Sequence, residues 1–315
     1  MGRSAGRRSD GLPFPLPIEP MLAAPSAAVP HGEFLFEPKW DGFRALVARQ
    51  GSTLTIWSRQ QRQLGRYFPE LSRALPDLLP ECCVVDGEIV VAAAHGLDFD
   101  ALLQRIHPAA SRVDELARRT PASLVAFDLL ALGDDDLRPL PQLLRRQALE
   151  RALAGAAPPL FVTPATVDHA VAERWFTRFE GAGLDGVIAK PLALGYRSGE
   201  RVLTKVKHVR TADCVVGGYR LHRDGRGVGS LLLGLFDDDG RLHHVGVATG
   251  LAVAQRAALL QELAPLLVER DHPWLGDDET VRRPGGPSRW SGQRDPAWTA
   301  VRPERVAEVR YDHLQ

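Results

Sequence analysis

The sequence predicts a protein of the α+β class with antiparallel sheets, divided into two domains. Its 315 residues exceed the length of about 250 to 300 at which one hydrophobic core stops growing. Short strand-like runs and helical patterns alternate irregularly, whereas a doubly wound parallel sheet requires regular alternation. After Thr211 glycine-rich strand patterns follow one another directly, so we expect a second, smaller domain there.

The first domain is expected over residues 31–209. Residues 1–30 are rich in proline, alanine and glycine and predict an extended N-terminal arm, with ordered structure from near Glu33. The strand-like runs that follow are FLFEP, FRALVAR, STLTIWS, CVVDGEIVVA, SLVAFDLLAL, GVIAK and VLTKVKH. The helical patterns occupy residues 67–78, 98–106, 141–153 and 168–182.

The second domain is expected over residues 210–315. The runs DCVVGGYRL, SLLLGLFDD and RLHHVGVATG predict an antiparallel meander, residues 252–267 an amphipathic helix, and RVAEVRYDH a closing strand. The glycine-rich DGRGVGS precedes a strand rather than a helix, which favours a hairpin turn over a phosphate-binding loop. About five short strands with one helix are typical of an OB-type β-barrel.

Composition excludes several classes of protein. The sequence has no apolar run of about 18 residues and no apolar signal segment behind its basic N-terminus, so we expect a cytoplasmic protein without membrane contact. The formal net charge is +0, so a polyanionic partner must meet a local basic patch. Cys82, Cys83 and Cys214 predict reduced apolar positions rather than a disulfide framework or a metal site.

Lysine is the most informative residue type. It occurs only at Lys39, Lys190, Lys205 and Lys207, so nearly all of the 39 lysine and arginine residues are arginine. A guanidinium stays protonated, whereas a lysine amine can lose its proton and attack an electrophile. The four lysines are therefore candidates for positions that require an amine or a compact ammonium. Chance retention on a solvated face is the alternative for any one of them.

Lys39 lies in EPKWDGFR, residues 37–44. Pro38 stiffens the chain and Gly42 permits a tight turn, so the Lys39 amine and the Arg44 guanidinium should lie close together at a sheet rim. Nearby positive charge disfavours protonation of an amine and so helps to supply the free base that a nucleophile needs. This arrangement suits a lysine that attacks phosphorus.

Such an attack requires carboxylates for a metal ion or a ribose, and cations for phosphate charge. Asp86 and Glu88 in VVDGEIV and Asp185 in LDGVIAK each place an acid beside a glycine in a strand, which predicts a site open to a ligand. Lys205 and Lys207 in LTKVKH alternate with apolar residues, so both amines should project from one face of a strand.

Five segments in order, KWDGFR, VVDGEIV, VAFDLL, LDGVIAK and LTKVKH, resemble the nucleotidyltransferase signature of ATP-dependent DNA ligases and of their RNA ligase and capping-enzyme relatives. The resemblance extends over about residues 33–312. SRQQRQLGRYFPEL at 58–71 and QRIHPAASRV at 104–113 resemble the ligase domain of bacterial non-homologous end-joining ligases in particular.

The resemblance implies a nucleotidyltransferase (adenylation) domain followed by an OB-fold domain, acting with ATP and Mg²⁺ or Mn²⁺. Lys39 would attack the α-phosphate of ATP to form lysyl-AMP, AMP would pass to the 5′-phosphate of a nick, and the 3′-hydroxyl would displace it. The implied partner is nicked double-stranded DNA, with a Ku-like end-binding protein as a possible second partner, and the protein would be a monomer.

The resemblance also assigns roles to the other candidate residues. Phe127 would stack on adenine, with plain core packing as the alternative for that residue. Arg59 would contact the 5′-phosphate of the nick, and Glu88 and Asp185 would bind the metal. The residues that contact the nucleotide would be Glu37, Arg44, Glu88, Phe127, Lys205 and Lys207.

Three features depart from the family pattern. Asp185 stands where glutamate is commoner, and Leu203 where an aromatic residue is often found. The chain stops at Gln315, before the basic sixth motif of the family, so we expect an OB domain truncated at its C-terminal end and weak lysyl-AMP formation relative to a longer form.

Two other functions remain open at this point. An RNA ligase or a capping-type nucleotidyltransferase would use the same five motifs, and the segments at 58–71 and 104–113 argue against it. A nucleic-acid-binding module with a degenerate nucleotide site is the alternative that is not an enzyme. Retention of all four lysines in a chain that otherwise uses arginine speaks against that alternative.

Overall fold

The computed structural model describes residues 11–94, 96–107, 109–178, 184–208, 210–285 and 297–311. The chain divides into two compact units, Met1–His208 and Val209–Gln315. The strands of the first unit are β1 (Leu22–Ser26), β2 (Phe34–Trp40), β3 (Phe43–Gln50), β4 (Thr53–Ser58), β5 (Cys82–Ala93), β6 (Gly96–Leu97), β7 (Ala122–Leu132), β8 (Asp135–Asp136), β9 (Leu160–Val162), β10 (Leu184–Pro191) and β11 (Arg201–Lys207). Its helices are α1 (Pro69–Leu78), α2 (Phe99–Gln104), α3 (Ala110–Arg119), α4 (Gln142–Ala152) and α5 (His169–Arg178).

Two sheets build the first unit. One has the strand order β4-β3-β5-β7-β8, with β6 paired to β5 and β9 to β7, and the other has the order β1-β11-β10-β2. Most neighbouring strands are antiparallel, and β1 with β11 and β7 with β9 are the parallel pairs among the described residues. The sheets are mainly antiparallel and the helices occur at irregular intervals between the strands, which confirms the α+β class.

Helix α1 illustrates how the sequence pattern produces the packing of the larger sheet. Pro69 stands in its first turn, where a missing N–H costs nothing, and Leu71 and Leu75 lie four residues apart on one face. Both leucines are fully buried, in one cluster with Val47 and Val85 of the central strands. Burial of an apolar stripe of this kind contributes about 1.5–3 kcal/mol for each large side chain.

The predicted start of ordered structure near Glu33 is wrong. Strand β1 pairs in parallel with β11, and before it Phe14 and Met21 are buried in a cluster with Leu46. The proline-rich composition concealed this strand because its hydrogen-bonding partner lies almost 180 residues further along the chain. No local pattern in the sequence could reveal that pairing.

The predicted helices form within a few residues of their expected bounds, as α1, α2, α4 and α5. Residues 179–183 of the pattern expected over 168–182 lie outside the described residues. Helix α3, within and after QRIHPAASRV, was not predicted as a helix; it begins after Ala109 without a side-chain cap, so the usual start signal is missing. Among the described residues no helix is long and apolar enough to cross a membrane.

The second unit contains β12 (Arg210–Leu221), β13 (Val228–Phe236), β14 (Leu242–Ala248), α6 (Val253–Leu263) and β15 (Thr299–Tyr311). The predicted meander forms, in the order β14-β13-β12-β15, and DGRGVGS lies at the turn between β12 and β13. A Cβ at Gly217 would approach the Trp274 ring to 2.5 Å, so this position requires glycine. The part of the unit that the structure describes has four strands rather than about five.

The two end-joining-like segments meet in the first unit through a buried ion pair. Arg105 is fully buried, and its Nη2 lies 2.7 Å from Oε2 of Glu70 and donates to the carbonyl oxygen of Tyr67. The other oxygen of Glu70 accepts a hydrogen bond from the backbone of Ala122, at the start of β7. The pair therefore joins the segment between α2 and α3 to α1 and to the central sheet.

Removing one partner of a buried ion pair leaves an uncompensated charge, which costs about 3–5 kcal/mol. We therefore expect Arg105→Met to lower the free energy of unfolding by that amount, measured by urea unfolding of the full chain. Arg112→Met is the matched control, because Arg112 and Glu115 are also 2.7 Å apart but both side chains are about 40 % exposed. The control should lose no more than about 1 kcal/mol. Equal losses in the two variants would contradict this account.

Candidate active site

A cavity of about 220 Å³ opens on the first unit. Its walls bring together residues that are far apart in the sequence, from strands β1, β2, β3, β5, β7, β10 and β11. The predicted site residues that line it are Glu37, Lys39, Arg44, Arg59, Glu88, Phe127 and Lys205. Asp185 is not among the lining residues but contacts one of them, Lys39, and Lys207 contacts Asp185.

Strand geometry explains why these side chains converge. Glu37 and Lys39 are two residues apart on β2, so both point to the same face. Ile188 of the antiparallel β10 pairs with Glu37, which places Lys190 diagonally next to it. In the other sheet, Arg44 of β3 pairs directly with Glu88 of β5.

One carboxylate holds two of the four lysines. Oδ2 of Asp185 lies 2.8 Å from Nζ of Lys39 and 2.8 Å from Nζ of Lys207. Burial acts to raise the pKa of Asp185, but the two lysines outweigh it and hold that pKa below its usual value. Asp185 is therefore ionised at neutral pH and occupies the place that an anionic ligand of these lysines would take.

A second carboxylate fixes Arg44. Asp86 is fully buried and accepts two hydrogen bonds from the Arg44 guanidinium, at 2.6 and 2.7 Å, and one from the Tyr196 hydroxyl at 2.6 Å. Although burial opposes it, Asp86 raises the pKa of Arg44. The backbone of Met21 donates to the Tyr196 hydroxyl, so the N-terminal strand is tied to the same group.

These contacts correct two expectations about charge in the site. Asp86 was expected at a site open to a ligand, but its oxygens are taken by Arg44 and Tyr196. Arg44 was expected to crowd the Lys39 amine with positive charge, whereas Arg44 is paired with Asp86 and Lys39 with Asp185. Burial favours this pairing, because an uncompensated charge in a cavity wall is costly.

Phe127 is only 7 % exposed, and its ring lies beneath two cations. The guanidinium carbon of Arg44 is 4.4 Å from the ring centroid and Nζ of Lys190 is 4.7 Å from it, both within cation–π distance. The ring also lines the cavity. Phe127 therefore differs from an ordinary apolar core position, because it borders the cavity and contacts two cations of the site.

As one of the four lysines, Lys190 was expected to help Lys205 and Lys207 hold phosphate around Lys39. It is 3 % exposed, lies 2.7 Å from Oε2 of Glu37 and donates to the carbonyl oxygen of Phe127. Burial raises the pKa of Glu37, and Lys190 opposes that shift. Lys190 thus links the strand that carries Lys39 to the strand that carries Phe127, and its rarity in the sequence was the signal for it.

Glu88 lines the cavity beside these cations. Burial raises its pKa to about 7, against the opposite effects of Arg44 and Lys39. No group of three or more potential metal ligands occurs within the described residues. Glu88 and Asp185, the two predicted metal ligands, are carboxylates, a ligand type that Mg²⁺ prefers. Two such ligands would suit an ion that arrives on substrate phosphates and keeps most of its waters, rather than one held in a protein cage.

Arg59 follows the end of β4 and is exposed at the cavity. Its position at the mouth suits contact with a phosphate that approaches from solvent, and arginine can bind such a group through two parallel hydrogen bonds.

Comparison with known proteins identifies relatives of both units. Residues 20–207 match the family model for the ATP dependent DNA ligase domain, and residues 224–315 match that for the ATP dependent DNA ligase C terminal region. DNA ligase C2 of Mycolicibacterium smegmatis is 54 % identical over 312 residues, which cover 96 % of this chain and 88 % of the relative. The multifunctional non-homologous end joining protein LigD of Mycobacterium bovis is 33 % identical over 300 residues, 93 % of this chain and 36 % of the relative. A solved structure of mycobacterial DNA ligase D complexed with ATP and MES has 32 % identity and a TM-score of 0.51, covering 94 % of this chain and 89 % of that one.

The raised pKa of Glu88 predicts a pH-dependent cost to stability. The folded protein holds the Glu88 proton up to about pH 7, whereas the unfolded chain releases it near the ordinary value of 4.5, so stability falls as pH rises between these values. Without metal or nucleotide, Glu88→Gln should therefore be more stable than the parent by about 1–3 kcal/mol at pH 8. The difference should narrow at pH 5.

Urea unfolding of parent and variant at the two pH values measures this effect, and the exposed Glu33→Gln serves as the control for the amide substitution. A stability difference between parent and Glu88→Gln that has the same size at pH 5 and pH 8 would show that Glu88 does not titrate in this way.

Proposed function

The chain belongs to the family of ATP-dependent DNA ligases, and we propose that it seals nicks in DNA through a covalent lysyl-AMP formed on Lys39. The family matches span most of both units, and the DNA ligase relatives favour this function over an RNA ligase, a capping enzyme or a binding module. The observation that carries the proposal is the position of Lys39, whose amine lies in the cavity wall against the carboxylate of Asp185.

In the first step, the Lys39 ammonium releases one proton, and Nζ then forms a bond to the α-phosphorus of ATP as the bond from that phosphorus to pyrophosphate breaks. The nitrogen releases a second proton and keeps one N–H in the phosphoramidate. Arginine could not replace it, because a guanidinium keeps its proton. AMP then passes to the 5′-phosphate at the nick, and the 3′-hydroxyl displaces AMP to form the phosphodiester.

The cations of the cavity provide most of the catalysis in such transfers, by positioning phosphate and stabilising its charge. We assign Lys205 and Lys207 to the α-phosphate, Arg44 to the nucleotide and Arg59 to the 5′-phosphate of the nick. Lys205 lines the cavity, and Lys207 shares the Asp185 carboxylate with Lys39. An arriving phosphate would therefore replace Asp185 as the partner of these amines.

Phe127 and Glu37 would bind the base. The Phe127 ring offers a face for stacking, and the buried Glu37 carboxylate lies in the cavity wall nearby. Glu88 and Asp185 would hold Mg²⁺, or Mn²⁺, which when bound neutralises charge on the phosphate oxygens.

The substrate is proposed to be nicked double-stranded DNA, gripped through backbone phosphates by arginines, so binding should weaken steeply with salt and show little sequence preference. The proposed domains are the adenylation domain over residues 31–209 and an OB-fold domain over 210–315, acting as a monomer in the cytoplasm. The likeness to the end-joining relative supports a role in that repair pathway, with a Ku-like end-binding partner.

Incubation with ATP and Mg²⁺ should add one AMP to the protein, which intact-mass and peptide mass spectrometry would place on Lys39. Lys39→Arg keeps the charge but removes the nucleophile, so it should show no adduct and no sealing of a nicked duplex. An adduct on another residue, or one that persists in Lys39→Arg, would contradict the proposal.

Arg59→Ala separates the first step from the later ones. It should still form lysyl-AMP, because Arg59 is assigned to the DNA and not to ATP, but it should seal a nick at least tenfold more slowly. Gel analysis of single-turnover sealing, started from protein that already carries AMP, measures this loss. A normal sealing rate would remove Arg59 from the site.

A further inference from the structure

Helix α4 presents two buried arginines to the first unit, and they differ in how completely they are paired. Arg145 is fully buried and donates to both oxygens of Asp128, at 2.8 and 3.0 Å. Its third nitrogen donates to two backbone carbonyl oxygens, so each nitrogen of its guanidinium has an acceptor. Arg145 is thus a completed structural anchor.

Arg146 is paired less completely. Its Nε lies 2.7 Å from Oε1 of Glu150, and its Nη2 donates to the carbonyl oxygen of Thr163 at 2.7 Å. Nη1 is buried 3.5 Å from Oε1 of Glu37, too far for a hydrogen bond, and neither atom has another hydrogen-bond partner within the described structure. Buried polar atoms without partners are rare in folded proteins, so this facing pair calls for an explanation.

The cavity explains why these two atoms lack partners. Glu37 lines the cavity, and Lys190 holds its other oxygen, Oε2, at 2.7 Å. Oε1 is buried without a donor, so it is the Glu37 oxygen that still has acceptor capacity for a ligand, and Nη1 of Arg146 lies 3.5 Å from it. An ionised carboxylate only accepts hydrogen bonds, so it suits the 6-amino group of adenine and disfavours the 6-oxo group of hypoxanthine or guanine.

We infer that Arg146, which lies outside all five sequence motifs, is a positioning residue that sets the choice of nucleobase by holding Glu37 as a charged acceptor. The inference rests on the proposed function, because it requires Glu37 to face the base of a nucleoside triphosphate. Arg146 itself is not among the residues that line the cavity, so it acts on the base through Glu37.

The charges around Glu37 show what Arg146 contributes. The groups that face this carboxyl are Lys190 from β10, Arg146 from α4 and Asp128 from β7. Burial raises the pKa of Glu37 and Asp128 adds to that, while Lys190 and Arg146 oppose it. Without Arg146, Glu37 holds its proton to higher pH, and a protonated carboxyl can donate to a 6-oxo group. Loss of Arg146 should therefore relax base selection.

The test compares ATP with inosine triphosphate, which replaces the 6-amino group by an oxo group. The rate of nucleotide attachment to Lys39 is measured over a range of each triphosphate for the parent, Arg146→Gln, Arg146→Met and Arg146→Lys. The neutral variants should show a KM for ATP about tenfold higher and a preference for ATP about tenfold lower. Arg146→Lys, which restores a cation opposite Glu37, should recover most of the preference.

Two controls exclude a merely structural effect. Glu150→Gln removes the other carboxylate on the same guanidinium, one that is 54 % exposed, and should keep the preference of the parent. Urea unfolding of each Arg146 variant checks for general damage, and the variants that are scored should unfold in one transition like the parent. In the neutral variants the preference for ATP should rise with pH over a higher range than in the parent, because Glu37 loses its proton at higher pH without Arg146.

A preference equal to that of the parent in either neutral variant that folds would overturn the inference, and would leave the lysyl-AMP proposal intact. Equal losses with ATP and with inosine triphosphate would also overturn it, because that result indicates general damage to the site. Failure of the parent itself to attach AMP would instead overturn the proposed function.

Discussion

The pairing of four cations of the site with carboxylates is the constraint on which the site depends. Lys39 and Lys207 share Asp185, Arg44 is held by Asp86, and Lys190 is held by Glu37. An unpaired charge at a buried position costs several kcal/mol, so these carboxylates are what allow the fold to place four cations in one site. In the proposed reaction a phosphate would take over the amines now bound to Asp185, whereas Arg44 would stay anchored by the fully buried Asp86.

The two kinds of pairing divide the site into a fixed part and an exchangeable part. Asp86 has Arg44 and Tyr196 as partners and is fully buried, so it serves the framework and also secures the N-terminal strand through Tyr196 and Met21. Asp185 is about one quarter exposed and binds two amines with one oxygen, and in the proposed reaction it would give up these contacts. Asp86 and Asp185 both stand beside a glycine in a strand, so the sequence pattern alone did not distinguish these two roles.

Sequence reasoning predicted what depends on local pattern. Alternation of apolar residues and the turn residues predicted the α+β class, the strands of the site and the meander of the second unit. The scarcity of lysine singled out Lys39 and Lys205 on those strands. Sequence reasoning failed where a partner lies far along the chain. Strand β1 depends on β11, and the pairing of Arg146 with Glu37 depends on how α4 packs, which no short motif encodes.

The central claim is that Lys39 exchanges its carboxylate partner for the phosphorus of a nucleotide. A crystal structure of the protein after reaction with ATP and Mg²⁺ tests it most directly. The account predicts continuous density from Nζ of Lys39 to the phosphate of AMP, a broken contact between Lys39 and Asp185, and a base that lies against Phe127 and Glu37. AMP bound without a covalent link while Lys39 remains on Asp185, or AMP attached elsewhere, would contradict it.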